Sequence, residues 1–142
     1  MAEKILLVDD EKDFLSVMSE RMKNRGMEVT TAESAKDALQ EVERGSFDAI
    51  VLDLMMPGVD GIETLKAIKR SKPELQVILL SGHATLEKGI EAMKLGALDF
   101  VEKPANIDEL TERIKKAKAQ KLVLVERQME NKLKSILEAK GW

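Results

Sequence analysis

The sequence predicts an α/β fold in which a parallel sheet carries helices on both faces. Three observations carry that prediction. Short apolar runs alternate with amphipathic stretches five times within about the first 118 residues, the pattern of repeated strand-helix units. The first run, Ile5-Leu6-Leu7-Val8, is continuously apolar, as expected of a strand buried on both faces. Hydrophobic residues make up 44% of the chain and charged residues 35%, enough for both a core and a solvated surface.

Each element has a local reason. After the first strand, Phe14, Leu15, Met18 and Met22 form a stripe on a helix from about Lys12 to Arg25, and Gly26 stands where a C-cap belongs. Val29 to Ala32 reads as the second strand. Ser34 is placed to cap a helix whose stripe is Ala35, Ala38, Leu39 and Val42, with Gly45 closing it. Ala49-Ile50-Val51-Leu52 is the third strand and ends in Asp53. The Pro57-Gly58 turn signal precedes a helix from about Gly61 to Ser71 carrying Ile62, Leu65 and Ile68. Val77-Ile78-Leu79-Leu80 is the fourth strand, ending at Ser81-Gly82, and a helix with Leu86, Ile90 and Met93 follows, closed by Gly96. The positions of Met18, Met22 and Met93 on helical stripes assign them to the core rather than to a methionine-rich binding groove. Leu98 to Val101 is the fifth strand, stopped at Lys103-Pro104, and Asn106 is placed to cap the last helix near Ile107.

Composition narrows the chemistry. With no cysteine, thiolate metal sites, disulfides and cysteine nucleophiles are excluded, and the single histidine, His83, excludes a multi-histidine centre. Four aromatic residues are too few for a base-stacking surface, and the net charge of −3 argues against direct nucleic-acid binding. The charge is unevenly spread: residues 1–104 hold 14 Lys/Arg against 20 Asp/Glu, a net of −6, while residues 105–142 hold 9 against 6, a net of +3. No apolar run approaches the roughly 20 residues of a membrane span, and no signal-peptide pattern opens the chain, so a cytoplasmic location is expected.

Ligands of open parallel sheets bind outside the carboxyl ends of the strands. At those ends stand Asp9 and Asp10, Asp53, Ser81 and Lys103. Three carboxylates at one edge repel one another unless a cation or protons intervene, and an all-oxygen set suits a hard divalent ion, Mg²⁺ above all. Such an ion leaves Asp53 ionised and nucleophilic, while Lys103 and the Ser81 hydroxyl suit the oxygens of a transferring phosphoryl group. Taken singly, an Asp-Asp pair after a strand is more often a plain loop or helix cap; it is the five residues at one edge that point to phosphoryl transfer. A phosphatase of the haloacid-dehalogenase type needs a second aspartate two residues after its nucleophile, where this chain has Met55, so a true phosphomonoesterase is not expected.

The segments Leu6-Leu7-Val8-Asp9-Asp10-Glu11, Asp53-Leu54-Met55-Met56-Pro57-Gly58-Val59-Asp60-Gly61, Leu80-Ser81-Gly82-His83 and Phe100-Val101-Glu102-Lys103-Pro104 together resemble the receiver domain of bacterial two-component response regulators, the CheY-like superfamily, over roughly residues 3–118. The resemblance implies a flavodoxin-like strand order 2-1-3-4-5. It implies that Asp53 accepts a phosphoryl group from a sensor histidine kinase or a histidine phosphotransfer protein, with Lys103 and Ser81 assisting. Asp10, Asp53 and the backbone carbonyl of Met55 would hold Mg²⁺, with Asp9 helping through water. Ser81 and Phe100 would form the switch, in place of the commoner Thr and of the Tyr found in many members, and Lys103-Pro104 would be cis. Such a domain is a signalling switch, catalysing only its own phosphorylation and slow dephosphorylation. His83 is read as a rim residue rather than a general base, and the pair Met55/His83 as tuning the lifetime of phospho-Asp53.

The chain therefore divides into a receiver, residues 1–118, and a helical tail, residues 119–142. In the tail Val125, Met129, Leu133 and Ile136 form one stripe, and the apolar phase slips between Ala117 and Leu122, which suggests a stutter or a break into a second helix. A dimerising coiled coil, or a linker to an output domain, is favoured over a tail packed back on the receiver. Two function classes follow: a phosphorylation-dependent switch of partner binding or dimerisation, and a non-switching assembly module whose tail dimerises constitutively. The intact Asp10, Asp53, Ser81 and Lys103 set favours the switch.

Overall fold

The computed structural model describes residues 2–54, 56, 60–82 and 86–141. Among them five strands alternate with five helices: β1 (Lys4–Val8), α1 (Lys12–Asn24), β2 (Glu28–Ala32), α2 (Ala35–Arg44), β3 (Ala49–Asp53), α3 (Gly61–Ser71), β4 (Gln76–Ser81), α4 (Leu86–Lys94), β5 (Asp99–Glu102) and α5 (Ile107–Ala139). The strands are all parallel, in the order β2-β1-β3-β4-β5. This is the expected flavodoxin-like order, and it puts β1 and β3 side by side at the point where the order reverses.

Successive strand residues point to opposite faces, so the unbroken apolar runs feed two cores. On one face Leu6, Val8, Ile50, Leu52 and Leu79 pack against Ala38 and Val42 of α2 and Ile62, Leu65 and Ile68 of α3. On the other, Ile5, Leu7, Val51, Ile78 and Leu80 meet Leu15, Met18 and Met22 of α1 and Leu110, Ile114 and Ala117 of α5. Each fully buried Leu or Ile contributes about 1.5–3 kcal/mol, so the sheet is the rigid part of the molecule.

Two caps, Ser34 and Asn106, are where the sequence places them, and Asp60 supplies a third. Ser34 Oγ accepts the Asp37 N–H at 3.1 Å, Asp60 Oδ1 the Ile62 N–H at 2.9 Å, and Asn106 Oδ1 the Asp108 N–H at 2.8 Å. Each bond satisfies an orphan donor of a first helical turn and contributes about 1 kcal/mol. Gly26, at φ +85°, ends α1, and the Met27 N–H then reaches back to the Met22 carbonyl at 3.2 Å.

Two expectations are corrected. Ile90 and Met93, assigned to the core from their spacing, are 51% and 43% exposed, and α4 faces the sheet through Gly89 and Ala92 instead. The space between α4 and β5 is filled by the ring of Phe100, so the helix must present its smallest residues there. Apolar spacing marked a stripe on α4 without marking the side that packs.

Of the stutter and the break suggested by the slip between Ala117 and Leu122, the break is absent: α5 is one helix through Ala139, about 50 Å long at 1.5 Å per residue. Its core-facing line runs Leu110, Ile114, Ala117 and then Lys121, whose Nζ donates to the Phe47 carbonyl oxygen at 2.6 Å. A lysine therefore takes the register position that an apolar residue would have marked, and the apparent slip of phase is the gap it leaves in the apolar pattern. Beyond it Met129 and Leu133 are 67% and 58% exposed. Among the described residues no helix is long and apolar enough to cross a membrane.

Candidate functional site

The carboxyl ends of β1, β3, β4 and β5 bring the charged residues together. Asp9 follows β1 directly, its N–H held by the Ala32 carbonyl at 3.1 Å, and it is fully buried. Asp53 is the last residue of β3 and is also buried, whereas Asp10 is exposed. Carboxylate oxygens of Asp9, Asp10 and Asp53 lie within 4.8 Å of one another.

Lys103 enters this cluster from the end of β5. Its N–H donates to the Ser81 carbonyl at 2.7 Å, which ties the ends of β4 and β5, and its bond to Pro104 is cis as expected. The ammonium donates to Asp9 Oδ2 at 2.8 Å and to Asp53 Oδ2 at 3.4 Å. It also sits 4.7 Å from the centroid of the Phe14 ring, close enough for a cation–π attraction. Burial alone would pull the Lys103 pKa down, but the hydrogen bond to Asp9 and the charges of Asp53 and Asp9 outweigh it, and the pKa is raised. Lys103 therefore stays an ammonium ion.

Asp9 has a second task. Its Oδ1 accepts the Glu11 N–H at 2.9 Å, fixing the turn that leads into α1. With Oδ1 on the backbone and Oδ2 on Lys103, Asp9 is oriented on both sides. Gly61 is required for a steric reason: a Cβ there would lie 2.4 Å from the Leu54 carbonyl oxygen, one residue after Asp53. The start of α3, capped by Asp60, is thus pressed against the chain leaving Asp53, which helps hold that carboxylate in place.

Three carboxylates against one ammonium leave an excess of negative charge. The donor set is all oxygen, with Asp10 open to solvent, and it fits a hard divalent cation that keeps part of its water shell. Ser81 is fully buried at the end of β4, and its hydroxyl donates to the Gly82 carbonyl at 3.1 Å. Phe100 lies on the same sheet face as Ser81: in the β4–β5 register Leu79 faces Phe100 and Ser81 faces Glu102. Ser81 and Phe100 are therefore diagonal neighbours on adjacent strands.

The expected pair Met55/His83 lies outside the described residues. Phe14 was read from the sequence only as part of a core stripe. Its position under the Lys103 ammonium needs the sheet order, because the two residues are far apart in the chain. Beside the site a groove of about 510 Å³ runs between α1 and the chain after β5, with Phe14, Val17, Met18 and Pro104 on its walls and Arg21 at its edge.

Comparison with known proteins gives a consistent picture. The family model described as response regulator receiver domain matches residues 5–115. The nitrogen assimilation regulatory protein NtrX of Azorhizobium caulinodans is 42% identical over 112 residues, covering 78% of this chain and 25% of that protein. The chain thus spans about a quarter of the length of the curated relatives it matches. Among solved structures, a response regulator receiver domain protein from Clostridium thermocellum superimposes with a TM-score of 0.83 at 35% identity, over 87% of this chain and 99% of that one. NtrX from Brucella abortus gives a TM-score of 0.81 at 33% identity, over 92% of this chain and 29% of that one.

Proposed function

On the premise that this chain belongs to the response regulator receiver domain family, which its match over residues 5–115 establishes, we propose that Asp53 takes a phosphoryl group from a phosphohistidine of a sensor histidine kinase or phosphotransfer protein. The observation that carries this reading is the placement of the buried Asp53 carboxylate at a strand end, beside two further aspartates and 3.4 Å from the Lys103 ammonium. The domain is a phospho-switch rather than an enzyme with a turning-over substrate.

In the transfer, an Asp53 carboxylate oxygen forms a bond to phosphorus as the phosphorus–nitrogen bond to the donor imidazole breaks. The bonding pair leaves with the imidazole, which takes a proton from solvent. Asp9, Asp10 and Asp53, with the backbone carbonyl of Met55 as the family resemblance implies, would hold magnesium, which would supply neutralising charge for the phosphoryl oxygens.

The chain's own residues do the rest. Lys103 is bound more closely to Asp9 than to Asp53, so Asp9 holds the ammonium ready and shares its charge until a phosphoryl oxygen offers a stronger partner. Ser81 can donate to another phosphoryl oxygen only by giving up the Gly82 carbonyl, and that exchange couples phosphorylation to the end of β4. Phe100, its diagonal neighbour, is positioned to follow, so the surface formed by α4, β5 and the start of α5 becomes the output face.

Residues 1–118 form the receiver in this reading and residues 119–142 a tail that dimerises or leads to a partner domain. The exposed Met129, Leu133 and Ile136 on one side of α5 support a second copy as the tail's partner, and the cytoplasm is the compartment of such a relay. The alternative is a non-switching module dimerised by the tail alone. Incubation with acetyl phosphate and Mg²⁺, comparing wild type with Asp53→Asn by intact mass and by light scattering, separates them. A phosphate gained by wild type and not by the variant is the expected result, and failure of wild type to gain one ends the switch reading. A dimeric mass unchanged by phosphorylation would assign dimerisation to the tail.

A further inference from the structure

Gly89 lies in the middle of α4, where glycine costs roughly 1 kcal/mol of helix stability relative to alanine. It is buried and faces β5. An ideal Cβ at this position would stand 2.7 Å from Cε2 and 2.8 Å from Cδ2 of the Phe100 ring, well inside contact distance. The ring therefore occupies space that any other residue at position 89 would claim.

We propose that Gly89 is a positioning residue for the switch: lacking a Cβ, it seats the Phe100 ring against α4 and so holds the ring in its resting position. This rests on the reading of Ser81 and Phe100 as the moving parts. A side chain at position 89 evicts the ring, and two routes are open to it. Moving outward exposes aromatic surface to water, which is unfavourable. Moving along the sheet face leads toward Ser81, its diagonal neighbour, where a serine leaves more room than a branched side chain would. The second route is the one phosphorylation would use. Gly89 thus sets the balance between resting and activated forms in the unphosphorylated chain.

The test uses the full chain labelled with fluorophenylalanine. The sequence has three phenylalanines, Phe14, Phe47 and Phe100, so the spectrum is simple, and Phe100→Leu assigns the Phe100 resonance. In wild type that resonance moves when acetyl phosphate and Mg²⁺ are added. In Gly89→Ala it is displaced in the same direction before any donor is present, and phosphorylation by acetyl phosphate runs about threefold faster, as expected for a modest shift toward a minor reactive form. Gly89→Ser carries the same Cβ and repeats both effects. In the Phe100→Leu background Gly89→Ala leaves the rate unchanged, because no ring remains to be evicted. A wild-type resonance that stays in place on phosphorylation overturns the switch reading and the proposal with it. A resonance that moves in wild type, but in Gly89→Ala is unmoved or displaced the other way, overturns the proposal alone. So does a rate change that persists in the Phe100→Leu background.

Discussion

Lys121 and Phe47 are joined across 74 positions of the chain by one hydrogen bond, Nζ to the backbone carbonyl oxygen, at 2.6 Å. The same ammonium is 3.3 Å from Ser46 Oγ. The bond falls one turn after Ala117, the last buried residue of α5, and pins the start of the exposed rod to the loop before β3. Lys121→Met keeps the length of the side chain and removes the donor. The expected loss is about 1 kcal/mol of stability, together with faster amide exchange confined to residues 118–139. Hydrogen-exchange mass spectrometry checks it; equal exchange in the two proteins would show that the contact does not hold the rod.

The crowding of Asp9, Asp10 and Asp53 gives a second expectation. Asp53→Asn removes one of three mutually repelling charges, so without divalent ions the variant melts at a higher temperature than wild type, by the equivalent of about 1 kcal/mol. Magnesium then stabilises wild type more than the variant, since binding to the folded form alone raises stability in proportion to affinity. Thermal denaturation with and without Mg²⁺ measures both differences, and a variant less stable than wild type in metal-free buffer contradicts the argument.

Lys103 gives the alkaline limb of the pH dependence. Its folded-state pKa is raised above the ordinary lysine value of 10.5: burial lowers it, but Asp9 and Asp53 raise it by more. A raised pKa means that the folded form binds the proton more tightly than the unfolded one. Its contribution is therefore fully present below the unfolded value and is lost as pH climbs through the folded one. In metal-free buffer, stability on this account is level between about pH 7 and 9 and falls above 10.5. Lys103→Met removes that limb. It also leaves the buried Asp9 carboxylate without its cation, so the variant is destabilised at neutral pH by about 3 kcal/mol. Urea titrations across the pH range report both effects.

The tail yields a prediction about mass. Met129 and Leu133 are widely exposed on an unbroken helix, and a second copy of the same helix would cover them. The double substitution Met129→Glu and Leu133→Glu turns a dimer into a monomer by light scattering while leaving phosphorylation of Asp53 at its wild-type rate. A wild-type chain that is monomeric both with and without phosphate removes the tail from the dimer account.

The sequence by itself determined the strands, the caps at Ser34 and Asn106, and which polar residues stand at the strand ends. Asp9, Asp53, Ser81 and Lys103 could be picked out because strand ends are local features, marked by the point where an apolar run stops. Ser34 and Asn106 cap their helices through bonds to residues two or three positions ahead, which a linear reading can follow. Relations across the fold needed the tertiary structure. Spacing gave α4 an apolar stripe through Ile90 and Met93, but the bulk of Phe100 turns Gly89 and Ala92 to the sheet instead. Nothing local marks Lys121, yet its ammonium satisfies a carbonyl 74 positions back, at the point where the apolar phase of the unbroken α5 slips. Lys103 was rightly placed beside Asp53, but only the sheet order brings Asp9 closer to it. Periodicity records which residues avoid water; which neighbour each one meets is settled by the volume and charge of side chains distant in sequence.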